Sequence, residues 1–203
     1  MNLETLAEKY TYEELAGALY LKGETDGYPK VTDKTKWREP VIAEKLGHIA
    51  HKKISAGKDS EKYGSDAHDL KANIYAEYKT RALDDKDLDV LFQRPTKSGR
   101  ARTATFKVRG IYNGAYTQEA IDSYSGIDHY FGLFYKEQCI LIIKPKTNEV
   151  ISQLTEGFVR QQLRGGTTNL NKVEIPLDLK NLYSIVYKND TFFEKYDEKK
   201  MYS

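Results

Sequence analysis

Cysteine is almost absent from this chain of 203 residues: Cys139 stands alone. A single thiol cannot close an internal disulfide, which excludes a secreted disulfide scaffold. Long apolar runs are missing too. The longest, residues 139–143, has the length of a strand and falls far short of the ~18 residues of a membrane helix. The first residues, Met1-Asn2-Leu3-Glu4, lack the basic start and apolar stretch of a signal peptide. Neither charge dominates, with 32 Lys and Arg against 30 Asp and Glu and a net charge of +2. Such a balance speaks against a protein that coats nucleic acid by bulk charge. What remains is the expectation of a soluble cytoplasmic protein, without a membrane partner, folded as one domain over residues 1–203. A chain of this length buries roughly 70% of its unfolded surface and needs no covalent staples. Tyrosine is the residue in excess, 16 against seven Phe and one Trp. Its ring suits half-buried faces and polar binding surfaces alike.

The hydropathy pattern predicts helices first and mixed elements afterwards. Thr11 and Glu14 have capping-box spacing ahead of Leu15, Ala18 and Leu19, and residues 23–36 read as a loop. A second helix is expected over Arg38 to Ser55, with Pro40 in its first turn. Val41, Ile42, Leu46, Ile49 and Ala50 would form its buried stripe, and His48 and His51 would share a face. Residues 57–64 are polar and loop-like. Strands are expected at 67–70, 74–80, 103–112, 173–177 and 183–187. The clearest hairpin joins 129–136 to 139–144 through Glu137-Gln138. Helices are expected over 84–93, over 118–124 after a Thr117 cap, and over 149–163 ahead of Gly165-Gly166. Helices followed by strands with interspersed helices indicate α/β or α+β, a mixed β-sheet flanked by helices.

Charge is segregated along the chain. Arg94, Lys97, Arg100, Arg102, Lys107 and Arg109 fall within residues 94–109 with no acid among them, and Ser98-Gly99 suggest a mobile loop. Lysines and arginines that neutralise phosphates release counterions, so an anionic polymer is the natural partner of such a segment. Residues 160–172 form a second polar stretch. Gln162, Arg164, Thr167, Thr168, Asn169, Asn171 and Lys172 carry side chains of the kind that contact base edges and phosphates. The first segment could equally be a solvated loop, and the second a polar helix end and turn. Acidic patches at 84–89 and at Asp197-Glu198 balance the total.

The most informative stretch is Gly64-Ser65-Asp66-Ala67-His68-Asp69, followed by Glu77-Tyr78-Lys79. Side chains two apart on a strand share a face, so Glu77 and Lys79 lie side by side. Alone, such a pair is an ordinary surface contact. Here Asp66 precedes Glu77 by eleven positions. An Asp, ten residues, then Glu-x-Lys resembles the active-site signature of the PD-(D/E)xK nucleases. The wording Gly-Ser-Asp-Ala-x-Asp before Glu-Tyr-Lys is most similar to small blunt-cutting type II restriction endonucleases. Ser65 departs from the pattern at the name-giving proline, and Asp69 competes with Asp66 for the aspartate's role. The family's order of elements is a helix, an Asp strand, a Glu-x-Lys strand, a third strand, a helix and a further strand. The predicted elements over about residues 38–145 follow that order.

The resemblance implies a restriction-endonuclease-like core at 38–145. Residues 1–35 would be a possible dimerisation element, and 146–203 a C-terminal region that completes the fold and touches DNA. It implies Mg2+-dependent hydrolysis of double-stranded DNA at a short palindrome by a homodimer, without a nucleotide cofactor, in a prokaryotic or phage setting. Asp66 and Glu77 would hold the hard cation through oxygen, with the backbone carbonyl of Tyr78 as a further ligand. Lys79 would orient the attacking water and stabilise developing charge. In this family the region equivalent to Asn113, Tyr116, Thr117 and Gln118 approaches DNA, and a helix N-terminus favours phosphate. Glu39 and Glu44 could add an acidic contact, though both also read as exposed helix charges, and His68 lies near the site without an assignable role. His48 and His51 lack the further ligands of a zinc site. A structure-specific repair or recombination nuclease, a non-catalytic DNA-binding protein and an RNA-directed nuclease are the alternatives.

Overall fold

The computed structural model describes residues 3–10, 15, 35–50, 65–113, 115, 117–136, 138–164, 170–177, 179 and 184–198. They form a mixed α/β structure. The strands are β1 (Ile49–Ala50), β2 (Ala67–Asp69), β3 (Ile74–Leu83), β4 (Phe106–Asn113), β5 (Asp128–Tyr135), β6 (Gln138–Ile143), β7 (Leu170–Leu177) and β8 (Ile185–Lys188). The helices are α1 (Leu3–Lys9), α2 (Thr35–Leu46), α3 (Asp85–Leu91), α4 (Gln118–Ser123), α5 (Thr147–Leu163) and α6 (Asp190–Glu198). A six-stranded sheet has the order β1-β2-β3-β5-β6-β8, and β4 pairs with β7 as a separate antiparallel ribbon. Within the large sheet only β3 and β5 run parallel, with Glu77 opposite His129 and Lys79 opposite Phe131. Parallel neighbours need a crossover, and here it carries α3, β4 and α4 across one face of the sheet.

That face holds the larger core. Leu83, Phe131, Leu133, Leu141 and Ile143 of the sheet are buried against Phe106, Val108 and Tyr112 of the ribbon, Leu88 and Leu91 of α3, Ile121 of α4 and Val150 and Leu154 of α5. Val41, Ile42 and Ala43 of α2 cover the other face, against Ala76, Tyr78, Tyr130, Phe134, Cys139 and Ile142. Gly132 allows this close approach, because a Cβ there would lie 2.5 Å from the Cδ1 of Ile42.

Several expectations change. The helix expected over Arg38 to Ser55 runs from Thr35 and ends at Leu46, so Pro40 sits in its second turn and leaves the Lys36 carbonyl without its helical donor. Gly47 takes φ +69. Its N–H bonds the Glu44 carbonyl and that of His48 bonds Ala43, a Schellman stop. Ile49 and Ala50 then enter β1, exposed rather than on a buried stripe. His51 lies outside the described residues, as do the Thr11–Glu14 cap and residues 57–64. In the β5–β6 hairpin Gln138 already pairs with Tyr135, so it belongs to β6 and not to the turn expected at Glu137-Gln138. The loop around Ser98-Gly99 is a compact turn, in which Thr96 N–H bonds the Arg100 carbonyl at 2.9 Å and Gly99 N–H the Thr96 carbonyl at 2.8 Å. Helix α6 was not foreseen. Asn189 Oδ1 accepts from Phe192 N–H at 3.1 Å, and Phe192 and Tyr196 stack at 4.5 Å. The Thr117 cap of α4 matches the sequence reading, and α3 adds a capping box between Asp84 and Asp87 that the helical spacing alone does not give.

Candidate active site

Asp66 stands just before β2, which pairs with β3 through Ala67 and Ala76. Its N–H bonds the Ala76 carbonyl at 2.8 Å, and its Oδ2 accepts from Tyr78 N–H at 2.7 Å. The aspartate carboxylate is therefore tied to the strand that carries Glu77 and Lys79. Both acids are buried, Asp66 at 8% and Glu77 at 5% exposure. Glu77 and Lys79 form an ion pair through Glu77 Oε1. The period of two holds: Glu77, Lys79 and Arg81 face the ribbon, and Tyr78 points into the core under α2.

Tyr112 on β4 lies over this pair, with Lys79 Nζ 4.5 Å from its ring centroid. Tyr112 hydroxyl is 3.0 Å from His129 Nδ1, and His129 Nε2 is 3.0 Å from the Tyr124 carbonyl. Burial, reinforced by the negative field of Glu77, pushes the Tyr112 phenol well above its ordinary range. The same two causes push Tyr124 up to about 12, and Asp66 adds to both. Both carboxylates thus act on one pair of tyrosines from one side of the sheet. Burial holds His129 down at about 4, with the Lys79 charge adding to the effect.

A second polar cluster lies on the α2 side. His48 Nδ1 and Tyr78 hydroxyl are joined by a 2.8 Å hydrogen bond, and His48 Nε2 is 3.6 Å from Asp69 Oδ2. Lys144 pairs with Asp128 at 2.6 Å beneath Tyr130. Burial lowers the pKa of His48. Asp69 also closes the β2–β3 turn, accepting from Lys71 N–H at 2.8 Å and Ala72 N–H at 3.2 Å. Its carboxylate is thereby spent on the turn and on His48, whereas Asp66 is the aspartate bonded to the Glu77–Lys79 strand. Glu39 is half-buried near the Tyr78 hydroxyl, whose pKa it helps to raise, and Glu44 is exposed. His68 stacks on Tyr75 at 4.6 Å and contacts Asn73 Oδ1 at 3.2 Å.

The residues singled out for DNA contact fall into four groups. Arg94 and Arg102 are held by structure. Both guanidinium groups lie 3.5 Å from Asp89, Arg94 also donates to the Tyr196 carbonyl at 3.2 Å, and Arg102 Nε donates to the Arg94 carbonyl at 2.8 Å. Lys97, Arg100, Gln162, Arg164 and Lys172 are exposed. Asn113 and Asn171 lie at the end of the ribbon, opposite Leu170 and Tyr112 respectively. Tyr116, Thr167, Thr168 and Asn169 lie outside the described residues. The ribbon joins the two polar segments: Lys107, Arg109 and Lys172 all contact Glu174, at 3.5, 2.9 and 2.5 Å. These cations project from the side of β4 opposite Gly110 and Tyr112.

The donors beside Glu77 suit a hard cation. Asp66 and Glu77 offer carboxylate oxygen, while both nitrogens of His129, the nearest imidazole, are already committed. Among the described residues no group of three or more His, Cys, Asp or Glu is placed to hold a metal ion. Two carboxylates with the Tyr78 carbonyl and water fit magnesium, which keeps much of its hydration shell, better than zinc, which prefers a closed nitrogen and sulfur set. Sequence reasoning singled out Asp66, Glu77 and Lys79 and did not single out Tyr112, Tyr124, His129 or the His48–Tyr78 bond; for the tyrosines the signal was the tyrosine excess. No protein-family model matches this chain, and no curated protein matches it either.

Proposed function

We propose that this protein is a magnesium-dependent DNA endonuclease of the PD-(D/E)xK type, a type II restriction enzyme that cuts double-stranded DNA at a short palindrome as a homodimer. One observation carries the reading: Asp66, Glu77 and Lys79, separated in sequence, meet around β3, with both acids buried and the lysine paired to one of them. The order α2, β2, β3, β4, α4, β5 supports it, since it follows the family's core. Bound magnesium would supply charge neutralisation at the scissile phosphate and a bound water of lowered pKa. Asp66, Glu77 and the Tyr78 carbonyl would hold it. Lys79 would orient the attacking water and stabilise charge as the phosphorus–oxygen bond breaks. Two strands related by a dyad call for two active sites, hence the homodimer. An antiparallel ribbon such as β4–β7 fits a major groove. Its exposed cations face away from Glu77, so a duplex that reaches both passes around the ribbon end at Asn113.

Incubation with phage or plasmid DNA and magnesium tests the reading. Discrete bands are expected. A smear would replace the restriction enzyme by an unspecific nuclease of the same site, and intact DNA at every metal and salt condition would overturn the enzyme altogether. A Lys79→Ala chain that cuts as fast as wild type would remove the assigned site.

A further inference from the structure

We propose that Tyr112 is the positioning residue for Lys79: its ring holds the lysine's ammonium in place independently of Glu77, and His129 holds the ring. What Lys79 does rests on the nuclease reading; how it is held rests on geometry alone.

The ammonium lies 4.5 Å from the Tyr112 ring centroid, within the range of cation–π attraction. Position 110, on the same face of β4 two residues earlier, is glycine. A Cβ there would lie 2.9 Å from Lys79 Cγ and 3.1 Å from its Cβ. Gly110 thus makes room for the stem of the lysine, and Tyr112 receives its head.

The ring is fixed from behind. Tyr112 is fully buried, and its hydroxyl meets His129 Nδ1 at 3.0 Å. A carbonyl oxygen only accepts, so the 3.0 Å contact to the Tyr124 carbonyl assigns the proton to His129 Nε2. A neutral imidazole then has a bare Nδ1, and the Tyr112 hydroxyl is the donor. Donation enriches the ring in electron density, which strengthens its hold on a cation. Tyr124 also packs edge-on against Tyr112, with centroids 5.2 Å apart at 88°. The line Tyr124 carbonyl, His129, Tyr112, Lys79 therefore runs from the end of α4 through β5 and β4 to β3.

A second holder matters because Glu77 has two claims on it. An ammonium held by that carboxylate alone would shift when the carboxylate oxygens turn to another cation. The ring makes no such exchange.

The test uses the whole chain with 13C-labelled lysine, first without metal or DNA. The Lys79 ε-methylene signal is assigned by its loss in Lys79→Met. Ring current is expected to move it upfield of solvent-exposed lysines in wild type and to release it in Tyr112→Leu. A Lys79 signal in the bulk lysine range in wild type overturns the proposal, as does one unmoved by Tyr112→Leu. The second arm is cleavage of a short duplex with magnesium. Tyr112→Leu should lower kcat about tenfold with KM unchanged, and Tyr112→Phe, which keeps the ring but loses its tether, should fall between the two. Wild-type kcat in Tyr112→Phe removes the role of the His129 tether, and a change in KM alone overturns the positioning role. Should Tyr112→Leu fail to fold, the wild-type signal and Tyr112→Phe still decide. If wild type cuts no DNA, the nuclease reading falls, and the lysine signal alone decides whether Tyr112 holds Lys79.

Discussion

Glu77 and Lys79 depend on each other because both are largely removed from water, their side chains 7% and 17% exposed. Taking away the lysine leaves a buried carboxylate without its cation, which costs about 1–3 kcal/mol or more. Lys79→Ala should therefore lose stability and cleavage together, the latter by about 10²–10⁴-fold. Adding Glu77→Gln removes the uncompensated charge, so the double variant should regain most of the stability while cleavage stays lost. Thermal melting beside a gel assay reads both. A double variant as unstable as Lys79→Ala would show that the pair does not carry the loss. His129 gives a pH dependence. Its folded-state pKa of about 4 lies below the ordinary 6.5, so between those values the unfolded chain binds more protons than the folded one. Stability is fully present above pH 6.5, declines as pH falls through this window, and levels off below about 4. At roughly 1.4 kcal/mol per pH unit the share is on the order of 3 kcal/mol. Carboxylates contribute to the same acid limb, so the share of His129 is the difference between wild type and His129→Gln in urea unfolding at pH 7 and pH 5. Equal slopes in the two proteins would refute it.

At the scale of elements, two glycines separate two physical demands. Gly47 has open space around its would-be Cβ but a φ of +69, so Gly47→Ala costs backbone strain of about 1–2 kcal/mol at the Schellman stop. It should leave the Glu77 face unaffected. Gly110 has ordinary backbone and no space, with Phe131 Cε1 only 2.5 Å from an added Cβ. Gly110→Ala must push the ribbon off β3, at about 1–3 kcal/mol, and should lower cleavage more than Gly47→Ala at matched stability. Equal residual activity in the two variants would contradict this. The same contrast explains what was legible in the sequence. The β2–β3 pairing, the β5–β6 hairpin and the α4 cap are local, written in period and cap residues. The expected helix exceeds α2 because its apolar spacing continues through Ile49, while Gly47 beside His48 stops it. Helix α6 was overlooked although Asn189 precedes Phe192, Phe193 and Tyr196 at helical spacing. Asp66, Glu77 and Lys79 could be found because one hairpin holds them. Tyr112 and His129 could not, because they meet only through the parallel register of β3 with β5 and the crossing of β4.

For the molecule as a whole, a net charge of +2 hides a separation into acidic and basic regions, and the basic segment itself divides by role. Arg94 and Arg102 grip Asp89 and the end of α6, with the Arg94 guanidinium 4.9 Å from the Tyr196 ring centroid. Lys97 and Arg100 project from a turn whose hydrogen bonds involve Thr96 and backbone groups rather than their charged ends. The two pairs should behave oppositely towards DNA. Each cation that neutralises a phosphate contributes about one unit to the slope of log affinity against log salt. Lys97→Ala with Arg100→Ala should make that slope shallower by about 2, with the melting temperature unchanged. Arg94→Ala, which unties α6 from the loop after α3, and Arg102→Ala, which unties that loop from Asp89, should each lower the melting temperature and leave the salt slope of the remaining folded protein close to wild type. Affinity titrations over a salt series on a short duplex, in calcium or without metal so that the DNA stays whole, measure the slope. If Lys97 and Arg100 leave it unchanged, the turn at 96–100 is a solvated loop, and the phosphate contacts belong to the ribbon cations Lys107, Arg109 and Lys172. Those three share Glu174 among them, so Glu174→Gln should then steepen the slope by freeing a cation, whereas at a ribbon that never meets DNA it would change stability alone.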